Sequence, residues 1–167
     1  IQGEGISIGK PATFVRLQFC NLACSWCDSW YTWRQDRTEY YEEPSYLPVK
    51  ELRSVIEKEQ QAKGVTELIP RVVFTGGEPM MHAKQIEDWM RYNPDFAVEI
   101  ETNGTIMPSQ FLLEHVQWNC SPKTSNAGNP AALAKKDDVL TAIAAYDSHF
   151  KFICSEPEDI AEVVTEF

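Results

Sequence analysis

The sequence contains no long apolar run and comparatively little positive charge. No stretch approaches the roughly 18 consecutive apolar residues that a membrane-spanning helix needs. Fifteen Lys and Arg stand against twenty-five Asp and Glu, and the net charge of -10 disfavours nucleic acid as a partner. We also expect no signal peptide, and the sequence shows no internal repeat or low-complexity linker. These absences favour one cytoplasmic domain over 1–167, which starts at Ile1 and which we expect to be trimmed at both ends.

The cysteines are few, odd in number and unevenly placed. A secreted disulfide framework usually has an even number, whereas this chain has five, three of them close together. The spacing Cys20-x3-Cys24-x2-Cys27 predicts a metal site in a reducing compartment. Three thiolates can bind three corners of an iron-sulfur cube and leave the fourth iron open. The alternative is a structural zinc site, which needs a fourth ligand. Candidates for that ligand are Cys120, Cys154 and His82.

Short apolar runs alternate with helical patterns along the chain. Strands are predicted at 12–19, 71–75, 96–101, 116–120 and 150–154. Helices are predicted over 48–63, 86–90, 109–114 and 138–146, and from residue 155 onward. Strand-helix alternation favours a mostly parallel sheet, and the units are too few for a closed barrel of about 250 residues. The expected fold class is therefore α/β, an open partial (β/α) barrel.

Polar and glycine-rich motifs follow four of the predicted strands. The carboxyl ends of parallel strands lie at one edge of a sheet. We therefore expect the loops that carry these motifs to lie together at that edge and to form one opening, which we call the mouth. Taken singly, the Gly-Gly and Asn-Gly pairs are equally typical of ordinary turns, and the lysine of a surface charge. The motifs are Cys20, Gly76-Gly77-Glu78-Pro79, Thr102-Asn103-Gly104 and Ser121-Pro122-Lys123.

The cysteine spacing resembles that of the radical S-adenosylmethionine (SAM) superfamily. Within it, the chain is similar to the 7-carboxy-7-deazaguanine synthase family over nearly its whole length. The motifs that carry this resemblance are Gln2-Gly3-Glu4-Gly5, Phe14-Val15-Arg16-Leu17, Trp26-Cys27-Asp28-Ser29, Tyr31-Thr32-Trp33, Thr75-Gly76-Gly77-Glu78-Pro79, Glu101-Thr102-Asn103-Gly104 and Ser121-Pro122-Lys123.

The resemblance implies a carbon-nitrogen lyase with radical chemistry. Its reaction would contract the ring of 6-carboxy-5,6,7,8-tetrahydropterin to 7-carboxy-7-deazaguanine with release of ammonia, in queuosine and other deazapurine biosynthesis. The implied cofactors are a 4Fe-4S cluster on Cys20, Cys24 and Cys27, SAM, and Mg²⁺ at Ser29. The implied SAM contacts are Trp26, Cys27, Asp28, Gly76, Gly77, Glu78, Glu101, Asn103, Ser121 and Lys123. The implied pterin contacts are Ile1, Gln2, Gly3, Glu4, Arg16 and Thr75.

The chain departs from the family pattern at two places near the cysteines. Ser29 replaces the usual Thr, which keeps the oxygen but loses the methyl group that restricts its rotamer. Phe19 replaces the usual Gly before the first cysteine. Arg16 can clamp a carboxylate in bidentate fashion, although a lone Arg on a strand is also typical of a surface ion pair. The segment 40–46 matches no family motif, and we expect it to be a solvated acidic loop.

Two other functions remain open. A glycyl-radical-enzyme activase of the same superfamily is also a small partial barrel and would act on a macromolecular partner. A non-catalytic iron-sulfur or zinc module would place a fourth protein ligand on its metal. For the synthase we expect a small pterin substrate, an electron donor such as flavodoxin or ferredoxin, and a homodimer, with neither nucleic acid nor membrane as a partner.

Overall fold

A five-stranded parallel sheet forms the centre of the protein in the computed structural model, which describes residues 1–42 and 46–167. The strands are β1 (Thr13–Leu17), β2 (Arg71–Gly76), β3 (Ala97–Thr102), β4 (Val116–Cys120) and β5 (Ser148–Phe150). They lie in the sheet in the order of the chain, each parallel to the next. The α-helices of the described residues are α1 (Leu52–Ala62), α2 (Ala83–Tyr92), α3 (Gln110–His115), α4 (Ala131–Ala134), α5 (Asp137–Ala144) and α6 (Pro157–Glu166). The predicted α/β architecture with a parallel sheet is confirmed.

One face of the sheet is apolar and carries the main core. Since side chains alternate between the faces of a strand, Phe74, Ile100 and Trp118 share this face, and all three are buried. Helix α2 packs here through Ile86 and Trp89, which recur at the helical spacing expected from the sequence. The Trp89 ring meets the Phe74 ring edge-on, with centroids 5.5 Å apart.

The opposite face of the sheet is polar. Charged and amide side chains project from the three central strands, and the N-terminal segment 1–10 contacts them through Gln2 and Ser7. A sheet face lined by polar groups is suited to hold a ligand, because polar groups that become buried there need partners. The apolar Val73 lies on this face as well, and its polar side chains are Arg71, Thr75, Glu99, Glu101, Gln117 and Asn119.

The fifth strand lies earlier in the chain than predicted. We expected it at 150–154, but β5 is Ser148–Phe150 and pairs with Trp118–Cys120. The N–H of Lys151 still donates to the carbonyl of Cys120, the last residue of β4, and beyond it the neighbouring strand offers no further partner. Phe152 instead packs against Phe167, with ring centroids 5.0 Å apart. Helix α4 is a single turn that the sequence did not predict.

The predicted acidic loop 40–46 can be described only at its two ends. Residues 43–45 lie outside the described residues. Before them Tyr40 is buried, with its ring edge-on to those of Phe19 and Tyr41, and after them Tyr46 is exposed. None of the helices in the described part of the chain has the length and apolar character that crossing a bilayer requires.

Candidate functional site

The three clustered cysteines lie on the loop that follows β1. Cys24 belongs to a small apolar cluster with Leu22 and Ala127, and Cys20 and Cys27 pack against that cluster. The loop is tightened by a bond from the Cys27 N–H to the Cys24 carbonyl, 3.2 Å. The structure therefore places the predicted cluster ligands on one loop, packed against one apolar cluster at the carboxyl end of the sheet.

Each of these thiols has a nearby N–H group. The indole Nε1 of Trp33 donates to Cys27 Sγ at 3.3 Å, and Asn129 Nδ2 donates to Cys24 Sγ at 3.2 Å. The backbone of Leu22 forms a hydrogen bond with the Cys20 thiol, which lowers its pKa. Burial has the larger effect and raises the pKa of this thiol to about 11. A bare thiolate is therefore unfavourable at this position, and bound iron would offset that penalty.

Phe19, immediately before the first cysteine, has a left-handed backbone. Its φ is 74°, and among the described residues it is the only non-glycine with positive φ. This conformation costs roughly 1–2 kcal/mol for a residue with a Cβ, which explains why glycine is usual at the position. Two backbone hydrogen bonds hold it, from Phe19 N–H to the Thr32 carbonyl at 2.8 Å and from Glu78 N–H to the Phe19 carbonyl at 2.7 Å. The ring also stacks on His82, with centroids 6.0 Å apart.

The glycine pair after β2 packs against the cysteine loop. A Cβ on Gly77 would overlap the Phe19 carbonyl, and one on Gly76 would overlap the backbone of Leu17. Gly77 N–H donates to the Leu17 carbonyl at 2.9 Å. We expected the missing side chains to make room for a ligand, but the space on that side is filled by the protein itself. SAM contacts at these two residues stay a prediction.

Glu78 is buried and joins two strand ends. Its carboxylate accepts hydrogen bonds from Met80 N at 2.9 Å, Thr102 Oγ1 at 2.8 Å and Asn103 N at 2.7 Å. Burial raises the pKa of Glu78 despite these donors. Because every one of these bonds stays within the protein, Glu78 orients the two loops and offers little to a ligand.

The remaining motifs meet at the same mouth. Asn103 Nδ2 donates to Asn21 in the cysteine loop at 2.9 Å. Lys123 Nζ donates to Ser121 Oγ at 2.9 Å and lies 5.6 Å from the centroid of the Trp26 ring. Burial lowers the pKa of Lys123, so its ammonium group would gain from an anionic partner. The predicted convergence of the four loops is confirmed.

Arg16, Asp28 and Ser29 form a hydrogen-bonded chain beside the cysteine loop. Arg16 is exposed on β1, and its Nη1 donates to Ser29 Oγ at 3.2 Å. Ser29 Oγ donates in turn to Asp28 Oδ1 at 2.9 Å. Thr75, which pairs with Arg16 across the sheet, donates to Glu101 Oε2 at 2.7 Å. The structure thus brings together the residues expected at the substrate carboxylate and at magnesium.

The N-terminal residues are engaged differently from what we expected. Gln2 is only 1% exposed, and its Oε1 accepts from the N–H groups of Gly3 at 2.7 Å and Glu4 at 3.0 Å. Its Nε2 donates to Glu99 Oε2 at 2.9 Å. Glu4 forms an ion pair with Lys151, and Ile1 is exposed. The amide expected to read a pterin edge is therefore used to fold the segment over the polar face.

The structure describes no fourth ligand for a structural zinc ion. Within 1–42 and 46–167, no group of three or more His, Cys, Asp or Glu side chains is arranged to hold one metal ion. Cys154 is exposed, burial raises the pKa of Cys120 to about 12, and His82 Nε2 lies 2.7 Å from the Gln18 carbonyl. In an iron-sulfur cube each thiolate binds a different iron, so the thiols surround the group instead of meeting at a point. The assignment of Cys20, Cys24 and Cys27 as cluster ligands therefore rests on their spacing and their shared loop, and it stays a prediction.

Comparison with known proteins supports this interpretation. Residues 14–117 match the radical SAM superfamily. The 7-carboxy-7-deazaguanine synthase of Rickettsia prowazekii is 35% identical over 156 residues, which cover 93% of this chain and 58% of the relative. That of Pyrobaculum aerophilum is 31% identical and is covered to 67%, with 98% of this chain aligned. The chain belongs to the 7-carboxy-7-deazaguanine synthase family of the radical SAM superfamily.

A solved structure of the family shares the fold. The crystal structure of QueE from Escherichia coli superposes with a TM-score of 0.69 at 26% identity, covering 98% of this chain and 71% of that chain. Several of the curated relatives are considerably longer, and this chain spans between 51% and 67% of the lengths of the first four. Membership of the superfamily implies a 4Fe-4S cluster and SAM, and the thiols of Cys20, Cys24 and Cys27 are the donors that suit the cluster.

Proposed function

We propose that this protein catalyses the ring contraction of 6-carboxy-5,6,7,8-tetrahydropterin to 7-carboxy-7-deazaguanine, with release of ammonia, in deazapurine biosynthesis. The names of its relatives support the reaction. The observation that carries it in this chain is the Arg16–Ser29–Asp28 hydrogen-bonded chain beside the cysteine loop. The cluster and SAM supply the radical chemistry when bound, and the protein binds, orients and shields the reactants.

The proposed SAM site lies between the cysteine loop and the loop after β4. The ammonium group of Lys123 is half-buried over Trp26 and can pair with the carboxylate of SAM. Ser121 keeps Lys123 in place through its hydroxyl group. Glu78, Gly77 and Asn103 act mainly by holding the loops in register, as their internal contacts indicate.

Arg16 is proposed to bind the carboxylate of the pterin. Its guanidinium group lies on the polar side of β1 and is exposed, and within 1–42 and 46–167 it donates to a single side-chain oxygen, that of Ser29. The other N–H groups of the fork can therefore meet a planar carboxylate, which is a strong and orienting interaction. Thr75 and Glu101 extend the polar surface from there toward the middle of the sheet.

Ser29 is proposed to hold Mg²⁺ together with the substrate, and Asp28, which the resemblance implies as a SAM contact, lies beside it. Their oxygens are 2.9 Å apart, and oxygen is the hard ligand that this ion prefers. Arg16 already donates to Ser29, so a dication there would be repelled by the guanidinium group unless an anion lay between them. The substrate carboxylate is such an anion, which predicts that magnesium and substrate bind together.

The substrate is proposed to be a small molecule, and reduction of the cluster calls for an external one-electron donor such as flavodoxin or ferredoxin. The homodimer and the cytoplasmic location remain predictions.

The direct test is turnover under anaerobic conditions. The cluster-loaded protein is incubated with SAM, a reductant and the carboxypterin, and the products are identified by mass spectrometry with and without Mg²⁺. The parent is expected to form 7-carboxy-7-deazaguanine together with 5'-deoxyadenosine.

Variants of the proposed substrate site separate pterin turnover from SAM cleavage. Arg16→Ala should weaken pterin binding by about 2–5 kcal/mol, because a desolvated carboxylate loses its partner, while uncoupled SAM cleavage persists. Ser29→Ala should abolish the magnesium dependence, and Ser29→Thr should keep it. Arg91→Ala removes an exposed arginine of α2 on the other side of the sheet and serves as the control. If Arg16→Ala and Ser29→Ala both turn over the pterin like the parent, the substrate assignment is wrong and the activase alternative is favoured.

A further inference from the structure

Two side chains outside the cysteine motif donate hydrogen bonds to cysteine sulfurs. Trp33 Nε1 lies 3.3 Å from Cys27 Sγ, and Asn129 Nδ2 lies 3.2 Å from Cys24 Sγ. Neither residue is a candidate metal ligand. Both bonds are partly buried, so water competes with them less than it would at the surface.

The orientation of the Asn129 amide is determined by a second contact. Its Oδ1 accepts a hydrogen bond from the backbone N–H of Ala23 at 2.9 Å. The two ends of an amide have opposite hydrogen-bonding character, so with the oxygen directed to Ala23 the NH₂ group must face Cys24. Asn129 thus links the backbone of Ala23 to the side chain of Cys24.

The segment that carries Asn129 is docked on the cysteine loop independently of that side chain. Ser25 N–H donates to the Ala127 carbonyl at 3.0 Å, and Trp26 Nε1 donates to Asn126 Oδ1 at 3.0 Å. Gly128 provides the left-handed turn, φ 75°, that leads from these contacts to Asn129. The donor is therefore carried by a loop that other hydrogen bonds hold against the cysteine loop.

Trp33 is positioned from the other side of the cysteine loop. It follows the short helical turn Trp30–Thr32, whose Thr32 is buried. The Thr32 carbonyl accepts from Phe19 N–H at 2.8 Å, which ties this turn to the residue before Cys20. Trp33 donates a hydrogen bond to a cysteine sulfur. The ring of Trp30, at the start of the turn, instead packs edge-on against the ring of Tyr31.

We propose that Asn129 and Trp33 are positioning residues for the iron-sulfur cluster and that their N–H groups raise its reduction potential. The inference rests on the cluster implied by the superfamily and does not depend on the pterin as substrate.

The direction of the effect follows from charge. One-electron reduction makes the cluster and its thiolates more negative, and an N–H dipole directed at a sulfur stabilises the more negative state more strongly. Removing a donor should therefore make reduction less favourable. We expect each loss to lower the equilibrium constant for reduction about tenfold, which corresponds to about 59 mV for a one-electron couple.

The test measures the reduction potential of the reconstituted cluster, by redox titration followed with EPR, without pterin. Trp33→Phe keeps an aromatic ring but removes the N–H group, and Asn129→Ala removes the amide. Both should shift the potential to more negative values, and the double variant should show roughly the sum. Asn129→Asp keeps an acceptor for Ala23 but adds negative charge, so its shift should exceed that of Asn129→Ala.

Matched controls come from the same two segments. Trp30→Phe removes the indole of the helical turn that precedes Trp33. Ser125 lies in the same loop as Asn129, and Ser125→Ala removes a hydroxyl group that donates to Glu162. Neither residue donates to a cysteine sulfur, so both controls should keep the parent potential. A shift in the controls as large as that in Trp33→Phe and Asn129→Ala would overturn the proposal, as would parent-like potentials in those two variants.

A spectroscopic measurement on the parent tests the contact even if a variant fails to assemble its cluster. With tryptophan labelled by ¹⁵N in the indole ring, electron-nuclear double resonance of the reduced cluster should detect a weak ¹⁵N coupling. Label in the asparagine side-chain amides should give a second coupling. The indole coupling should survive in Trp30→Phe. Absence of both couplings in the parent would contradict the proposal, whatever the turnover of the enzyme.

Discussion

The cysteine loop and the N-terminal segment are held against the rest of the protein in different ways. Backbone hydrogen bonds fix the cysteine loop to its neighbours, from Gly77 to Leu17, from Glu78 to Phe19 and from Ser25 to Ala127. The N-terminal segment is anchored on the polar face mainly by side chains, through Gln2 to Glu99 and Ser7 to Gln117. The difference shows that a family motif can place a residue near the active site. It does not determine whether the side chain of that residue contacts the ligand or other protein groups.

The largest effect is expected at the cysteine loop. Cys24→Ala removes one of three thiolates, and with only two the cluster should fail to assemble. Iron and sulfide analysis after anaerobic reconstitution measures this, with Cys154→Ser as the control because Cys154 is exposed and lies outside the loop. A full cluster in Cys24→Ala would show that Cys24 is not a ligand of the cluster.

The second prediction tests the polar face beneath the N-terminal segment. Glu99 has no exposed surface and pairs with Arg71, so Arg71→Ala leaves a buried carboxylate short of its counter-ion. Such a loss typically costs about 3–5 kcal/mol of the free energy of unfolding, measured by denaturant titration. Arg91→Ala breaks the partly exposed pair with Glu87 and the contact of the guanidinium group with the Phe111 ring, and it should cost no more than about 2 kcal/mol. Equal losses in the two variants would mean that the buried network contributes little.

The third prediction concerns the contact between the glycine pair and the cysteine loop. Gly77→Ala should destabilise the protein by about 1–3 kcal/mol and lower cluster incorporation, because its Cβ would overlap the Phe19 carbonyl. Gly64→Ala is the control, since a Cβ there meets no atom within 4 Å and only the positive φ of 77° opposes it. Weakened SAM binding with an unaffected cluster and unchanged stability would instead indicate that Gly77 faces the ligand.

The smallest effect is expected at Phe19. Phe19→Gly relieves the left-handed strain but loses the stacking on His82, and the two terms should nearly cancel, within about 1 kcal/mol. Phe19→Ala loses the stacking while keeping the strain, so it should be less stable than Phe19→Gly by roughly the strain alone. Unfolding titrations of the pair measure that difference. A Phe19→Ala protein as stable as Phe19→Gly would show that the left-handed backbone costs nothing here.

The fold was predictable where apolar periodicity is local. The stripe of Ile86, Trp89 and Met90 and the strands around Phe74 and Ile100 predicted their elements and their burial. The bounds of β5 were not predictable, because they depend on where β4 ends and the apolar residues after Phe150 look equally suited to a strand. The four-residue helix α4 is too short to show any periodicity.

The site was predictable where residue spacing has a chemical meaning. Three cysteines on one loop and motifs at successive strand ends were enough to place the mouth. Asn129 was missed because a single asparagine more than a hundred residues from Cys24 has no characteristic spacing, and only the fold brings the two together. The burial of Gln2 was missed for a similar reason, since its partner Glu99 lies on a strand whose apolar residues suggested a simple core.

The most direct test of the substrate site is the affinity of the carboxypterin for the cluster-loaded protein, by anaerobic titration calorimetry with and without Mg²⁺. We expect the parent to bind the pterin and magnesium to tighten that binding. Magnesium alone should bind weakly, because the guanidinium group of Arg16 repels it. In Arg16→Ala, pterin affinity should fall by about 2–5 kcal/mol, while in Arg91→Ala it should not change. Equal pterin affinity in the parent and Arg16→Ala, with no effect of magnesium in either, would contradict the account.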